Sequence, residues 1–254
     1  MTWKTQINAI WRICYFYGFL ALTRTPVMFL AMFLTPLTFL FFLYVVAPHS
    51  LLPFAVIGGI LFSALYTGNG MMNDCAYLRL ERQLQQVFVT SPLRPMAWVF
   101  GMAFSELAWT LPALGLFIIV LSLVVHLTVL SILALLGVIL LTWLLATSLG
   151  FLISTFFRQL REIWPIGTVV FTSLSVLPPM FYPISAIPAG FRWAAFVSPS
   201  TFASQLADQV IGLSVPTISV VPALSSVPVE VAGMVALTLL FMLMAMRLAR
   251  WREP

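Results

Sequence analysis

Of the chain's 254 residues 62% are apolar and 7% charged, with a mean hydropathy of +1.08, a balance that excludes a water-soluble globular domain. The net charge of +5 sits singly or in pairs at the ends of apolar runs. With no Lys/Arg stripe, it is a topology signal and gives no footing for nucleic acid.

Apolar runs predict six spans, at 27–47, 51–73, 97–121, 128–157, 163–182 and 229–249. Each reaches the roughly 20 residues that cross a hydrocarbon core of roughly 30 Å. In lipid a segment must pair its own backbone groups, so continuous runs of this kind are helices; an outer-membrane barrel needs short alternating segments. With the N-terminus inside, Lys4, Arg12, Arg24, Arg79, Arg82, Arg94, Arg158, Arg161, Arg247, Arg250 and Arg252 fall on one side, and Arg192 alone on the other. Cytoplasmic loops retain Lys and Arg, so both termini are expected in the cytoplasm, in an inner or plasma membrane. Residues 1–254 read as one multi-pass membrane domain.

Residues 3–24 precede the first span. Trp3, Ile7, Ile10, Trp11 and Cys14 recur on one helical face, with Lys4, Asn8, Arg12 and Tyr15 opposite. The stretch 1–26 is expected to lie as a helix in the cytoplasmic interface, the alternative being a plain tryptophan anchor. No short apolar stretch with a small-residue cleavage site follows, so no signal peptide is expected. Pro26 opens the first span and Pro36 should kink it. The second span carries Gly58, Gly59, Gly68 and Gly70, which favours packing against protein instead of lipid.

Residues 74–95 form the longest cytoplasmic excursion. Tyr77, Leu80, Leu84, Val87 and Phe88 share one helical stripe, with Arg79, Arg82, Gln83 and Gln86 opposite, until Ser91–Pro92 and Arg94–Pro95 break the helix. Such an amphipathic helix must lie along the membrane or meet a partner. Glu106 is the one carboxylate deep in a predicted span, where an unpaired charge costs on the order of 3 kcal/mol. It should be protonated, paired or facing a cavity, and is a candidate pathway residue. Met71, Met72, Trp109 and Trp143 read as packing. After Pro178, Pro179 and Pro183 the stretch 183–228 is external yet apolar, carrying Ile184, Ile187, Phe191, Trp193, Phe196, Val197 and Phe202. Segments 184–197 and 199–212, separated by Ser198–Pro199, are expected to form a re-entrant helical hairpin, or alternatively two interfacial helices. Glu230 opens the last span, where the helix dipole favours a carboxylate.

Chemistry of its own is not expected. Lys4, the sole lysine, follows no Gly-rich loop, so there is no P-loop; neither HExxH nor GxSxG occurs. Cys14 and Cys75 both map to the cytoplasmic side, where thiols stay reduced. No catalytic, cofactor-binding or metal-binding residue is assigned.

Four places resemble the permease subunits of type-2 ABC exporters, the ABC-2 permeases. They are Arg24–Thr25–Pro26 with Pro36; Glu81–Arg82 followed by Ser91–Pro92–Leu93 and Gly101; Phe181–Tyr182–Pro183, Ile187–Pro188 and Trp193; and Ser198–Pro199–Ser200–Thr201–Phe202. The pattern departs at Gln83–Gln86, where many members carry Gly-Thr-Leu-Glu, and at Ser198, usually Asn. The resemblance implies a permease for amphipathic or hydrophobic cargo (a drug-like molecule, a lipid or a lipid-linked glycan). It would pair with a second permease copy and with two copies of a separate ATP-binding subunit, which holds the ATP and Mg. It further implies ATPase coupling through Tyr77, Leu80, Glu81, Arg82, Leu84, Val87, Phe88, Ser91 and Pro92. An external gate would comprise Phe181, Tyr182, Pro183, Pro188, Trp193 and Pro199. The alternative is a gradient-driven carrier or channel, but no inverted repeat is visible and, Glu106 aside, charge within the predicted spans is nearly absent.

Overall fold

The computed structural model describes residues 3–25, 27, 30, 34, 37, 38, 40–42, 44, 45, 49–82, 93–213 and 226–248. All regular structure among them is helical: α1 (Trp3–Ile13), a π-helical turn (Cys14–Phe19), α2 (Leu20–Arg24), α3 (Leu52–Leu80), α4 (Pro95–Val124), α5 (Val129–Ser154), α6 (Leu160–Val176), α7 (Arg192–Ala195), α8 (Pro199–Ile211) and α9 (Val227–Leu248), with short 3-10 turns between. Among the described residues four helices, α3, α4, α5 and α9, are long and apolar enough to cross a membrane. α6, at 17 residues, is shorter. Most of the predicted first span, with Pro26 and Pro36, lies outside the described residues.

α3 is the central post. Its most apolar stretch is 72% buried, against 22% for that of α9, and it packs on α4, α5, α6 and α8. The glycines explain how so many neighbours approach one helix. A Cβ on Gly59 would lie 2.8 Å from the Phe117 ring, and one on Gly58 2.6 Å from the Met180 carbonyl. At Gly150 of α5 a Cβ would lie 2.8 Å from the Gly68 carbonyl carbon, so the two backbones themselves are in contact. Val56, Ile60, Phe117, Leu121, Leu135 and Phe181 fill one end of the bundle. Met71, Trp98, Met102, Trp143 and Phe151 fill the other, here termed the basic end after Arg79, Arg82 and Arg94.

Three sequence expectations change. The second span does not stop at residue 73: α3 continues to Leu80, so Tyr77 and Leu80 are the last turn of that helix instead of the start of a separate one. A separate excursion therefore begins only at Glu81, and Leu84, Val87, Phe88, Ser91 and Pro92 lie outside the described residues. The first arm of the predicted hairpin is not a continuous helix. It is broken into turns at Ile184–Ala186 and Ala189–Phe191 and the four-residue α7, because Pro183, Pro188 and Gly190 interrupt it. Only its second arm, α8, is helical throughout, with Pro199 in its first turn and Gly212 at φ 76° closing it. Along α1 the protein-facing stripe is Gln6, Ile13 and Cys14, continued by Gly18, whereas Trp3 and Trp11 point outward.

Candidate functional site: the basic end of the bundle

α1 and its π turn run alongside the first half of α4. The Arg94 amide, at the N-cap of α4, donates to Gln6 Oε1 at 3.1 Å, which explains why a glutamine is buried on α1. Ile13 fills the notch at Gly101, and Gly18 lies against Ser105 and Ala108. The π turn leaves carbonyls without regular partners, and Trp109 Nε1 donates to that of Tyr17 at 3.0 Å. Burial, then Asp74, raise the Tyr17 phenol pKa, with Arg82 pulling the other way. Tyr17 packs against the cluster that holds Met71, Cys75 and Leu78, so the π turn sits beside the end of α3. Burial likewise raises the Cys14 thiol.

The end of α3 is tied to α5 and α4 by different chemistry. Arg79 forks onto the C-terminus of α5: Nη2 donates to the Ser154 and Phe157 carbonyls at 2.6 and 2.5 Å, and Nη1 to that of Thr155 at 3.1 Å. A guanidinium at the negative pole of a helix satisfies carbonyls that have no intrahelical donor. Sequence patterning placed Arg79 on the outward polar face; the structure turns it into the protein. Arg82 folds back over Tyr77, 5.5 Å from the ring centroid, and its Nε donates to the Tyr77 hydroxyl at 3.0 Å. Glu81 and Arg82 are exposed and Leu80 is half-buried.

Glu106, 3% exposed, hydrogen-bonds through its carboxyl to Asp74. A carboxylate only accepts, so two carboxyls joined in this way share a proton. The Glu106 carboxyl also lies on Gly70, where a Cβ would come within 2.7 Å of its Cδ. Glu106 is thus not the lone deep carboxyl that the sequence suggested. Asp74 opens the predicted cytoplasmic excursion, and the extension of α3 makes it helical and half-buried, beside Glu106. Asn69 and Asn73 line the same stretch, with Asn73 Nδ2 donating to Asn69 Oδ1 at 3.4 Å. The π turn, α3, α4 and α5 are consequently linked at one end of the bundle.

The residues expected to gate the opposite end divide into two groups. Phe181 is buried against Gly58 with its ring tilted at 47° to that of Phe62, 6.2 Å between centroids, and Pro199 is buried. Tyr182 donates to the Leu177 carbonyl at 3.2 Å, burial raising its phenol pKa. Pro183 is half-buried, whereas Pro188 and Trp193 face outward. Between α3, α4, α5 and α9 an apolar crevice is lined in part by Met71, Met96, Met242 and Met246.

The sequence profile of the ABC-2 type transporter family matches residues 10–207, a stretch from the N-terminal helix through most of α8. No curated protein sequence matches the chain.

Proposed function

The chain belongs to the ABC-2 type transporter family, as a multi-pass membrane permease and not an ATPase domain, and from that premise we propose that it is the permease of an ATP-driven exporter. Permeases of this family pair with an ATP-binding subunit. On this reading two permease copies, each crossing the membrane six times, stand on two ATP-binding subunits that carry ATP and Mg. The basic end and both termini face the cytoplasm.

The observation that supports this reading best is the cross-linked basic end. Segment 83–92 joins α3 to α4, and those helices are tied to each other by Asp74–Glu106, to α5 by Arg79, and to the N-terminal helix by Gln6. A push on Glu81, Arg82, Leu84, Val87, Phe88, Ser91 or Pro92 by a closing nucleotide-binding dimer then cannot stay local. Glu106 serves as a proton-sharing link between the two arms of this lever. Phe181, Tyr182, Pro183, Pro188, Trp193 and Pro199 form the outer lid. The methionine-lined crevice suits a hydrophobic or amphipathic cargo, because thioether side chains adapt to varied apolar shapes.

Reconstitution with the ATP-binding subunit tests the proposal. Leu84→Asp should leave insertion intact and uncouple ATP hydrolysis from transport of a fluorescent lipid or drug-like probe. Transport by the purified chain without nucleotide would refute the assignment. So would labelling of a cysteine placed at Leu84 from outside the cell.

A further inference from the structure

At the far end of the bundle α8 runs antiparallel to the start of α9. Phe202 lies opposite Gly233, where a Cβ would approach its ring to 3.6 Å, and Gln209 Nε2 donates to Glu230 Oε1 at 3.1 Å. Glu230 also acts electrostatically on Asp208. Two carboxyls thus lie within electrostatic reach of one another, and both are shut away: Glu230 is 0% and Asp208 2% exposed. Burying even one carboxylate is costly without a compensating charge.

Among the described residues no side chain supplies such a charge. Arg192 is the sole basic residue between Pro183 and Pro228, and its guanidinium donates to the Ile187 and Ser185 carbonyls at 2.8 and 3.1 Å. The helix ends do not balance the pair either. Glu230 sits in the first turn of α9, where the dipole favours it, but Asp208 sits in the last turn of α8, where the dipole opposes it.

A third group points to what completes the cluster. Gln205 is 0% exposed, and among the described residues neither its amide oxygen nor its amide nitrogen has a partner; Glu230 Oε2 is unpartnered among them as well. At about 100° per residue Gln205 projects from α8 between Asp208 and Gln209, the two residues that meet Glu230. An orphaned amide in that position costs on the order of 1–3 kcal/mol unless something engages it.

We propose that Gln205, Asp208 and Glu230 form a binding site for a hard divalent cation, calcium by preference, which joins α8 to α9. The donors are all oxygens, two of them carboxylates, which is calcium and magnesium chemistry rather than that of zinc or copper. Calcium tolerates irregular mixtures of carboxylate, amide carbonyl and water, whereas magnesium demands near-octahedral geometry. The ion neutralises the pair, engages the Gln205 carbonyl and fixes α8 between α3, α5 and α9. This does not depend on the cargo or on coupling to ATP.

The test is thermal unfolding of the purified full chain in detergent, titrated with CaCl2 or MgCl2 up to about 1 mM, the range of extracellular calcium modules, against choline chloride at equal ionic strength. Calcium should raise the midpoint by about 5 °C, EGTA should reverse the gain, and magnesium should do less. Gln205→Leu, Asp208→Asn and Glu230→Gln are near-isosteric, and each should lose the calcium response; any one that folds is sufficient. Glu106→Gln should keep it. The proposal is overturned if calcium leaves the wild-type midpoint unmoved, or if Gln205→Leu and Glu230→Gln respond as the wild type does. It is equally overturned if the midpoint falls between pH 6 and 9 regardless of calcium, which would assign the site to a shared proton. Because the readout is ion binding, failure here leaves the transport reading standing, and failure of transport leaves this site standing.

Discussion

Removing the Arg79 side chain tests the clasp between α3 and α5 directly. Arg79→Ala deletes three hydrogen bonds to the Ser154, Thr155 and Phe157 carbonyls. A hydrogen bond to a charged group contributes about 1.5–3 kcal/mol net when buried. This guanidinium is only half-buried, so solvent screening reduces the total to about 2–4 kcal/mol, including the lost interaction with the α5 dipole. For a chain of this size that corresponds to a midpoint lower by roughly 4–15 °C. The chain carries its own reporter: Cys14 and Cys75 are both buried, so a thiol-reactive fluorophore lights up on unfolding. Arg79→Lys keeps the charge but not the planar fork, and should recover less than half of the loss. Arg79 points into the bundle, so folded Arg79→Lys should bind the ATP-binding subunit as tightly as the wild type does. A midpoint for Arg79→Ala within about 1 °C of wild type, or full rescue by lysine, would refute the clasp; weakened subunit binding would restore an outward role for this residue.

Gly150→Ala should cost about 1–3 kcal/mol, because its Cβ would stand 3.1 Å from the Gly68 Cα and no rotamer relieves a backbone contact; Gly137→Ala, open on all sides, should leave the melt unchanged. Glu106→Gln retains a donor for Asp74 and should melt within about 1 kcal/mol of wild type, whereas Glu106→Leu strands the Asp74 carboxyl and should cost about 1–3 kcal/mol; equal melts would show that the link contributes nothing. Gln6→Ala leaves the Arg94 amide without its acceptor, so hydrogen exchange at the start of α4 should speed up by about tenfold, given about 1.4 kcal/mol per decade. Maleimide should label Cys14 and Cys75 at least tenfold more slowly in the folded chain than in dodecyl sulfate, since both thiols are enclosed.

Much of this architecture is legible in residue order. The predicted spans at 51–73, 97–121, 128–157 and 229–249 each correspond to a long helix, displaced by a few residues at most ends. The glycines of the second span correctly point to close neighbours, and Trp109 and Trp143 do pack, their indole nitrogens donating to Tyr17 and Ala103 carbonyls. Helix ends were read less well. Hydropathy falls at Asp74 and ends the predicted span at residue 73, although seven further residues, 74–80, continue the helix with Arg79 anchored to α5. The apolar load of 184–197 suggested a helix, but Pro188 and Gly190 prevail locally.

Run length and polarity are properties of neighbouring residues, and in lipid the backbone can be paired only within its own segment; helical character and membrane residence were therefore written in the chain order. Contacts between carboxyls 32 positions apart, or between an arginine and carbonyls more than 70 positions away, depend on where two helices cross and how each is rotated. Small changes in crossing angle or helix length reassign those partners without altering hydropathy at all. Asp74 with Glu106, Arg79 with α5, and Gln205 beside Glu230 accordingly emerge only when the helices are packed.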